Sequence, residues 1–102
     1  MNKIFSYLGL AKRAQKIVLG TDAVLKNLHR GKTHLIFVAS DASVATIDKV
    51  NKKGYFYKIP TIEKYSTDEL AKALGVNNPK VIGINDIGFS KAILAELERI
   101  GD

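Results

Sequence analysis

The chain has 102 residues, 46% of them hydrophobic, and a formal net charge of +6, which fits one domain with a real core and excludes two. It has no cysteine, which excludes disulfides and thiolate metal sites, and no apolar run approaches the roughly 18 residues of a membrane span. The N-terminus lacks the apolar core and cleavage site of a signal peptide, so we predict a single cytoplasmic domain over residues 1–102 with no membrane contact.

The positive charge is concentrated in the first third of the chain. Residues 35–102 carry nine basic and nine acidic side chains, so the net charge of +6 lies entirely within residues 1–34. A single basic surface is the pattern expected of a protein that binds a polyanion, and we expect the partner to be RNA. The charged residues of this first third are Lys3, Lys12, Arg13, Lys16, Asp22, Lys26, Arg30 and Lys32.

Residues 2–16 are predicted to form a first helix. Ile4 and Leu8 fall on one face of it, and the basic residues collect near its C-terminal end, where they suit the helix dipole. Arg13 and Lys16 lie just before the first predicted strand. They therefore either border the RNA surface or are solvated charges at a helix end.

The next segment is predicted to be a strand, a turn and a helix. Residues 17–19 are β-branched or aliphatic, Gly20 permits backbone angles that other residues resist, and Thr21 is a good N-cap. The helix should run from about Asp22 to Arg30, and Gly31 is placed to end it.

One face of this second helix carries Asp22, Lys26 and Arg30 at i, i+4 and i+8. A helix N-terminus after a glycine turn presents unpaired N–H groups and partial positive charge, which suit phosphate, and the two cations extend that field. The alternative is that Asp22 complements the dipole and the cations are a solvated face stabilised by i, i+4 pairing.

Residues 35–39 form an unbroken apolar run and are predicted to be a central strand. Residues 40–43 offer capping groups for a third helix, which carries Val44 on its apolar face and stops at residues 53–54. Ser40 and Asp41 follow a central strand, where ligands bind in open α/β sheets, but capping is the favoured role.

Residues 57–61 are predicted to be a short strand, with Pro60 indicating a sheet edge. The aromatic cluster of Tyr55, Phe56 and Tyr57 either stacks on bases or packs in the core where this strand begins. Core packing is favoured because the cluster lies outside the basic third.

The remaining segments predict two further helices and one strand. Residues 66–69 match a capping box before a helix that Gly75 ends, residues 81–84 are a buried strand, and the last helix carries Phe89, Ile93, Leu97 and Ile100 on one face. A helix followed by four strand–helix repeats indicates a three-layer α/β/α sandwich on a four-stranded, largely parallel or mixed sheet.

Several motifs resemble a known family. The segments 8–14, 20–26, 40–43, 57–60 and 86–89 are similar, in order and spacing, to the kink-turn-binding ribosomal-protein superfamily, the L-seven-Ae and L-thirty-e proteins, and especially to its bacterial YlxQ-type branch. The resemblance covers nearly the whole chain. It implies an RNA-binding, ribosomal-protein-like domain associated with ribosomes or translation.

The resemblance also implies a binding site. Gly20, Thr21 and Lys26 match the family's turn and helix start, and the loop Val76-Asn77-Asn78 aligns with its second contact loop. Asp22 replaces an Asn that reads a base, and Ala23 replaces a Glu or Gln, so base reading should be altered while backbone contacts persist. The full set of predicted RNA-binding residues is Gly20, Thr21, Asp22, Lys26, Arg30, Arg13, Lys16, Lys32, Val76, Asn77 and Asn78.

We therefore predict a non-enzymatic monomer that binds structured RNA, such as ribosomal RNA, beside ribosomal or translation-factor proteins. The alternative is a ribosome-associated protein-interaction module that does not bind RNA directly. An enzyme is the third hypothesis, because there is no Gly-rich phosphate loop with Lys and no nucleophile is spaced to meet His29 or His34. We predict no catalytic residues, no metal and no cofactor.

Overall fold

The computed structural model describes residues 2–100. Helices and strands alternate along this range, as the sequence predicts. None of the helices within these residues is both long and apolar enough to cross a membrane. The elements are α1 (Lys3–Arg13), β1 (Ile17–Leu19), α2 (Thr21–His29), β2 (Leu35–Val38), α3 (Val44–Tyr57), β3 (Thr61–Ile62), α4 (Thr67–Leu74), β4 (Val81–Ile84) and α5 (Ile87–Arg99).

The four strands form one mixed sheet in the order β1-β4-β2-β3. β4 lies between β1 and β2 and is antiparallel to both, whereas β3 is parallel to β2. The mixed alternative of our prediction is therefore confirmed. The largely parallel alternative is wrong, because β4, which is buried along its whole length, takes a central position between two strands that run the other way.

Helices cover both faces of the sheet, which confirms the three-layer sandwich. Alternate strand residues enter two separate cores, since successive side chains of a strand point to opposite faces. Phe37 and Ile82 pack with residues of α1, α4 and α5, while Ile36 and Val81 pack with α2 and α3. All four are essentially inaccessible to solvent. The two central strands, β2 and β4, are buried along their whole length and carry no polar side chain, because neither face of the sheet is exposed there.

The first helix is shorter than predicted. α1 ends at Arg13 instead of Lys16, and Gln15 adopts a positive φ of 61°. Its buried face is as predicted, with Ile4 and Leu8 fully buried. At the start of α3 the prediction is wrong for Val44, which is 85% exposed instead of facing the core.

The third helix is longer than predicted, and the strand at residues 57–61 is wrong. α3 passes through Gly54 to Tyr57, and only Thr61 and Ile62 form β3. A Cβ at Gly54 would lie 2.5 Å from Thr61 Oγ1, so the glycine permits a close approach within the helix rather than ending it. The helix is instead capped by Lys58 in the left-handed conformation, with φ of 59°.

Candidate nucleic-acid interface

Gly20 is the residue that turns β1 into α2. Its φ of 99° and ψ of 146° lie in a region that residues with Cβ rarely adopt, although nothing lies within 4 Å of a Cβ built there. Glycine is therefore required by the backbone conformation and not by lack of space. Gly20 N–H donates to the Val81 carbonyl at 2.9 Å, and the Gly20 carbonyl accepts from Val24 N–H at 2.9 Å.

The start of α2 differs from the prediction in one detail. Gly20 occupies the N-cap position and Thr21 is the first helical residue, so the expected N-cap role of Thr21 is wrong. Gly20 has no side chain with which to cap the helix, and no side-chain capping bond is formed there. The first N–H groups of α2 therefore have no side-chain acceptor at the N-cap, and the helix dipole favours an anion at this end.

A cleft joins this helix start to the loop before β4. Leu19, Gly20 and Thr21 line one side, residues 76–80 line the other, and the cleft has a volume of about 340 Å³. Asn77 and Asn78 are exposed there, while Val76 is half-buried against the α1–α4–α5 core. The structure therefore brings together five of the predicted residues, Gly20, Thr21, Val76, Asn77 and Asn78.

The antiparallel pairing of β1 with β4 creates this cleft. Leu19, the last residue of β1, pairs with Ile82 near the start of β4, so the loop that precedes β4 lies beside the end of β1. In a parallel arrangement the end of β1 would lie beside the end of β4, and residues 76–78 would be at the opposite edge of the sheet.

Lys26 and Arg30 extend from the cleft along α2. Both side chains are exposed, and so is Asp22 in the first turn, as the predicted outward row requires. Among the described residues, Asp22 and Lys26 form no ion pair with each other, whereas Lys52–Asp48 and Arg99–Glu96 are paired. Ion pairing between Asp22 and Lys26 therefore does not explain why these two residues and Arg30 form an outward row on α2.

Three predicted supporting residues lie away from the cleft. Lys16 precedes β1, whereas Gly20 follows it, which separates their Cα atoms by about 13 Å of extended chain. Lys32 follows α2 and donates its backbone N–H to the Asn27 carbonyl. Arg13 lines a hollow between α1 and α4, on the other face of the sheet from α2. These cations can contribute only long-range attraction to the cleft.

Lys80 is a cleft residue that the sequence did not reveal. Its Nζ donates to Thr67 Oγ1 at 2.9 Å, and Thr67 donates both its N–H and its hydroxyl to Asp41 Oδ1, at 2.9 and 2.7 Å. The two hydrogen bonds from Thr67, and secondarily the charge of Lys80, hold the pKa of the Asp41 carboxyl below its ordinary value of 3.8.

This chain of contacts revises the predicted role of Asp41. Asp41 caps the first turn of α4, which is distant in sequence, whereas Ser43 is the N-cap of α3 and accepts from Thr46 N–H. The Asp41–Thr67–Lys80 contacts tie the end of β2, the start of α4 and the cleft loop together. No spacing in the sequence connects these three residues.

Residues 2–94 match the family described as Ribosomal protein L7Ae/L30e/S12e/Gadd45 family. Two bacterial relatives are both named RNA-binding protein YlxQ. The Enterococcus faecium protein is 37% identical over 89 residues, which cover 87% of this chain and 85% of that protein. The Bacillus subtilis (strain 168) protein is 34% identical over 94 residues, which cover 92% and 94% of the two chains.

Two solved structures share the fold. A protein with unknown function from Bacillus halodurans C superposes with a TM-score of 0.92 at 34% identity, covering 96% of this chain and 99% of that chain. The Giardia lamblia 15.5kD RNA binding protein superposes with a TM-score of 0.81, covering 95% and 83%. Its identity of 19% makes it a comparison of fold alone.

The α/β/α sandwich and the helix-start cleft place this chain in a class of small ribosomal-protein-like domains. The chain belongs to the Ribosomal protein L7Ae/L30e/S12e/Gadd45 family, which confirms the resemblance found in the sequence motifs. Within that family it is similar to the bacterial proteins named YlxQ over most of both chains.

Proposed function

We propose that this protein binds structured RNA through the cleft between α2 and residues 76–80, without catalysing a reaction. One observation carries the proposal. The start of α2 at Gly20 and Thr21, which no side chain caps, lines the same cleft as the polar loop residues Asn77 and Asn78. Backbone N–H groups at a helix start donate hydrogen bonds to phosphate oxygens, and Lys26 one turn along adds a positive charge.

Similarity to proteins named for RNA binding supports the proposal, as does the family to which the chain belongs. The charge distribution adds support on one face of the sheet only, because Lys26 and Arg30 are exposed on α2 beside the cleft, whereas α1 with Arg13 covers the other face. We further propose that the RNA is part of a ribosomal or translation complex in the cytoplasm, and that the protein binds it as a monomer.

Base recognition in the cleft is proposed to be altered. Asp22 lies exposed in the first turn of α2, where an ionised carboxylate cannot donate a hydrogen bond to guanine and repels phosphate. Ala23 offers no side-chain hydrogen bond at all. Contacts to the RNA backbone position a protein but carry little sequence information, so RNA binding should proceed without ordinary kink-turn selectivity.

Fluorescence anisotropy with two labelled RNA hairpins tests this function. One hairpin contains a kink-turn and the other is a plain duplex of equal length. The protein should bind both saturably at moderate salt, with little preference for the kink-turn. If neither hairpin shows saturable binding, the proposal of RNA binding is wrong, and the alternative of a protein-interaction module on the same fold is favoured.

A further inference from the structure

Two aromatic side chains near the C-terminal end of α3 are strongly exposed. Tyr55 is 88% exposed and Phe56 is 73% exposed, so the predicted core packing is wrong for both. The Phe56 ring contacts Tyr57 edge to face, with ring centroids 4.9 Å apart. Together Tyr55 and Phe56 border a hollow of about 680 Å³, which is also lined by Lys52, Lys58, Ile59 and Pro60. We refer to Tyr55, Phe56, Lys52 and Lys58 as the α3 patch.

The α3 patch is basic although the last two thirds of the chain are neutral as a whole. Residues 44–58 contain Lys49, Lys52, Lys53 and Lys58 against a single acidic residue, Asp48. Lys52 pairs with Asp48 at 3.0 Å, and the remaining lysines leave a local excess of positive charge. Averaging charge over residues 35–102 hides this excess, which is why the sequence did not assign it to a binding surface.

The C-terminal end of α3, which carries the α3 patch, lies beside the C-terminal end of α2. Both helices cover the same face of the sheet, and His29 Nδ1 forms a hydrogen bond with the Tyr57 hydroxyl at 2.7 Å. The α2 helix has nine residues and is therefore about 13 Å long. A strand of RNA leaving the cleft along Lys26 and Arg30 would reach the α3 patch after a few nucleotides.

We propose that the α3 patch binds unpaired nucleotides that flank the structured RNA in the cleft, with bases stacked on Tyr55 and Phe56. The inference rests on the proposed function and extends it to a second site. Proteins bind single-stranded nucleic acids with exposed aromatic rings beside cationic side chains, because any base offers a face for stacking and each phosphate attracts a cation. A paired region keeps its bases stacked on each other, so the site selects unpaired nucleotides.

The test compares three RNAs: a plain duplex hairpin, the same hairpin with eight unpaired uridines at its 5′ end, and the same hairpin with eight unpaired uridines at its 3′ end. The wild-type protein should bind one of the two tailed hairpins about tenfold more tightly than the plain hairpin. The double change Tyr55→Ala with Phe56→Ala should abolish this gain and leave binding of the hairpin without a tail unchanged. Val44→Ala is the matched control, because Val44 is an exposed apolar residue at the other end of α3.

A fluorescent variant gives a second readout. The chain has no tryptophan, so Phe56→Trp places a single reporter in the α3 patch. Its emission should change with the tailed hairpin and not with the hairpin lacking a tail, because only the tail offers unpaired bases. Lys26→Ala should weaken binding of both hairpins by the same factor, which separates the cleft from the α3 patch.

Several outcomes would overturn the inference while leaving RNA binding intact. Equal affinity of wild type for tailed and untailed hairpins would do so, as would equal losses on both hairpins when Tyr55 and Phe56 are replaced. A dimer in analytical ultracentrifugation that the double change converts to a monomer would show that the patch joins two copies. By contrast, failure of the wild type to bind any hairpin would overturn the proposed function itself.

Discussion

Asn85 Nδ2 donates a hydrogen bond to Asn27 Oδ1 at 3.1 Å, which fixes α2 to the end of β4. Both amides have further partners. Asn27 Nδ2 donates to the Ala23 carbonyl at 2.8 Å, and Asn85 Oδ1 accepts from the Thr33 hydroxyl at 2.8 Å. Asn85 N–H also donates to the Lys16 carbonyl at 2.8 Å. This network sets the orientation of the helix whose N-terminus forms the cleft.

The change Asn85→Ala should therefore lower both stability and RNA affinity. It removes the partner of Asn27 Oδ1 and of the buried Thr33 hydroxyl, which costs about 1–3 kcal/mol per unsatisfied group. Urea unfolding measures the loss of stability. RNA affinity, measured where the variant is folded, should fall because α2 is no longer held against β4. Asn51→Ala is the control, since Asn51 is exposed and its side-chain amide donates a long hydrogen bond of 3.4 Å to Glu63 Oε1.

Lys26 and Arg30 should each contribute to the salt dependence of RNA binding. If each contacts a phosphate, Lys26→Ala and Arg30→Ala should lower the slope of log affinity against log salt by up to about one unit each. Anisotropy titrations between low and moderate salt measure the slope. Lys91→Ala is the control, because Lys91 is an exposed cation on α5, across the sheet from α2. A larger effect at Lys91 than at Lys26 would contradict the assignment of the interface.

The Asp41–Thr67 contact should make stability depend on pH in the acid range. Because the pKa of Asp41 is lower in the folded state than in the unfolded chain, ionised Asp41 stabilises the fold above the unfolded pKa. That contribution is lost as pH falls through the folded pKa.

The variant Asp41→Asn lacks the charged acceptor and should unfold at a lower temperature than wild type at pH 7. The difference should begin to shrink as pH falls below the unfolded-state pKa of about 4 and should disappear once pH is below the lower folded-state pKa of Asp41. Circular dichroism melts at a series of pH values measure this convergence. Asp48→Asn removes only an exposed ion pair and should alter the melting temperature little throughout. A difference for Asp41→Asn that stays constant with pH would contradict the contact's role.

Local patterns predicted the elements, whereas the site depends on long-range pairing. Gly20 and the apolar run before it were sufficient to predict a strand–turn–helix unit, because the required backbone conformation is local. The position of β4 between β1 and β2 follows from how whole strands pack, and no local pattern encodes it. The prediction for Gly54 is wrong because its role is set by a tertiary contact, the close approach of Thr61 Oγ1 in the strand that follows α3. Lys80 enters the cleft only because β4 is antiparallel to β1.

Replacing two residues at the start of α2 should restore selectivity for the kink-turn if base reading is altered there and the scaffold is intact. Asp22→Asn provides a donor for guanine acceptors, and Ala23→Glu provides an acceptor for guanine N–H groups. Gly20, Thr21 and Lys26 are untouched. A good bidentate base contact gives about 1–3 kcal/mol of discrimination, so the preference for a kink-turn hairpin over a duplex should rise by roughly tenfold or more.

The double change loses one acidic residue and gains another, so its net charge equals that of wild type. A gain in selectivity therefore cannot arise from stronger general attraction to phosphate. Competition between the two hairpins for the same protein measures it. A strong kink-turn preference of the wild type would show that Asp22 is bypassed and that our account of altered reading is wrong. If the double change has no effect, the difference from kink-turn binders resides instead in the loop Val76-Asn77-Asn78, which lines the other side of the cleft.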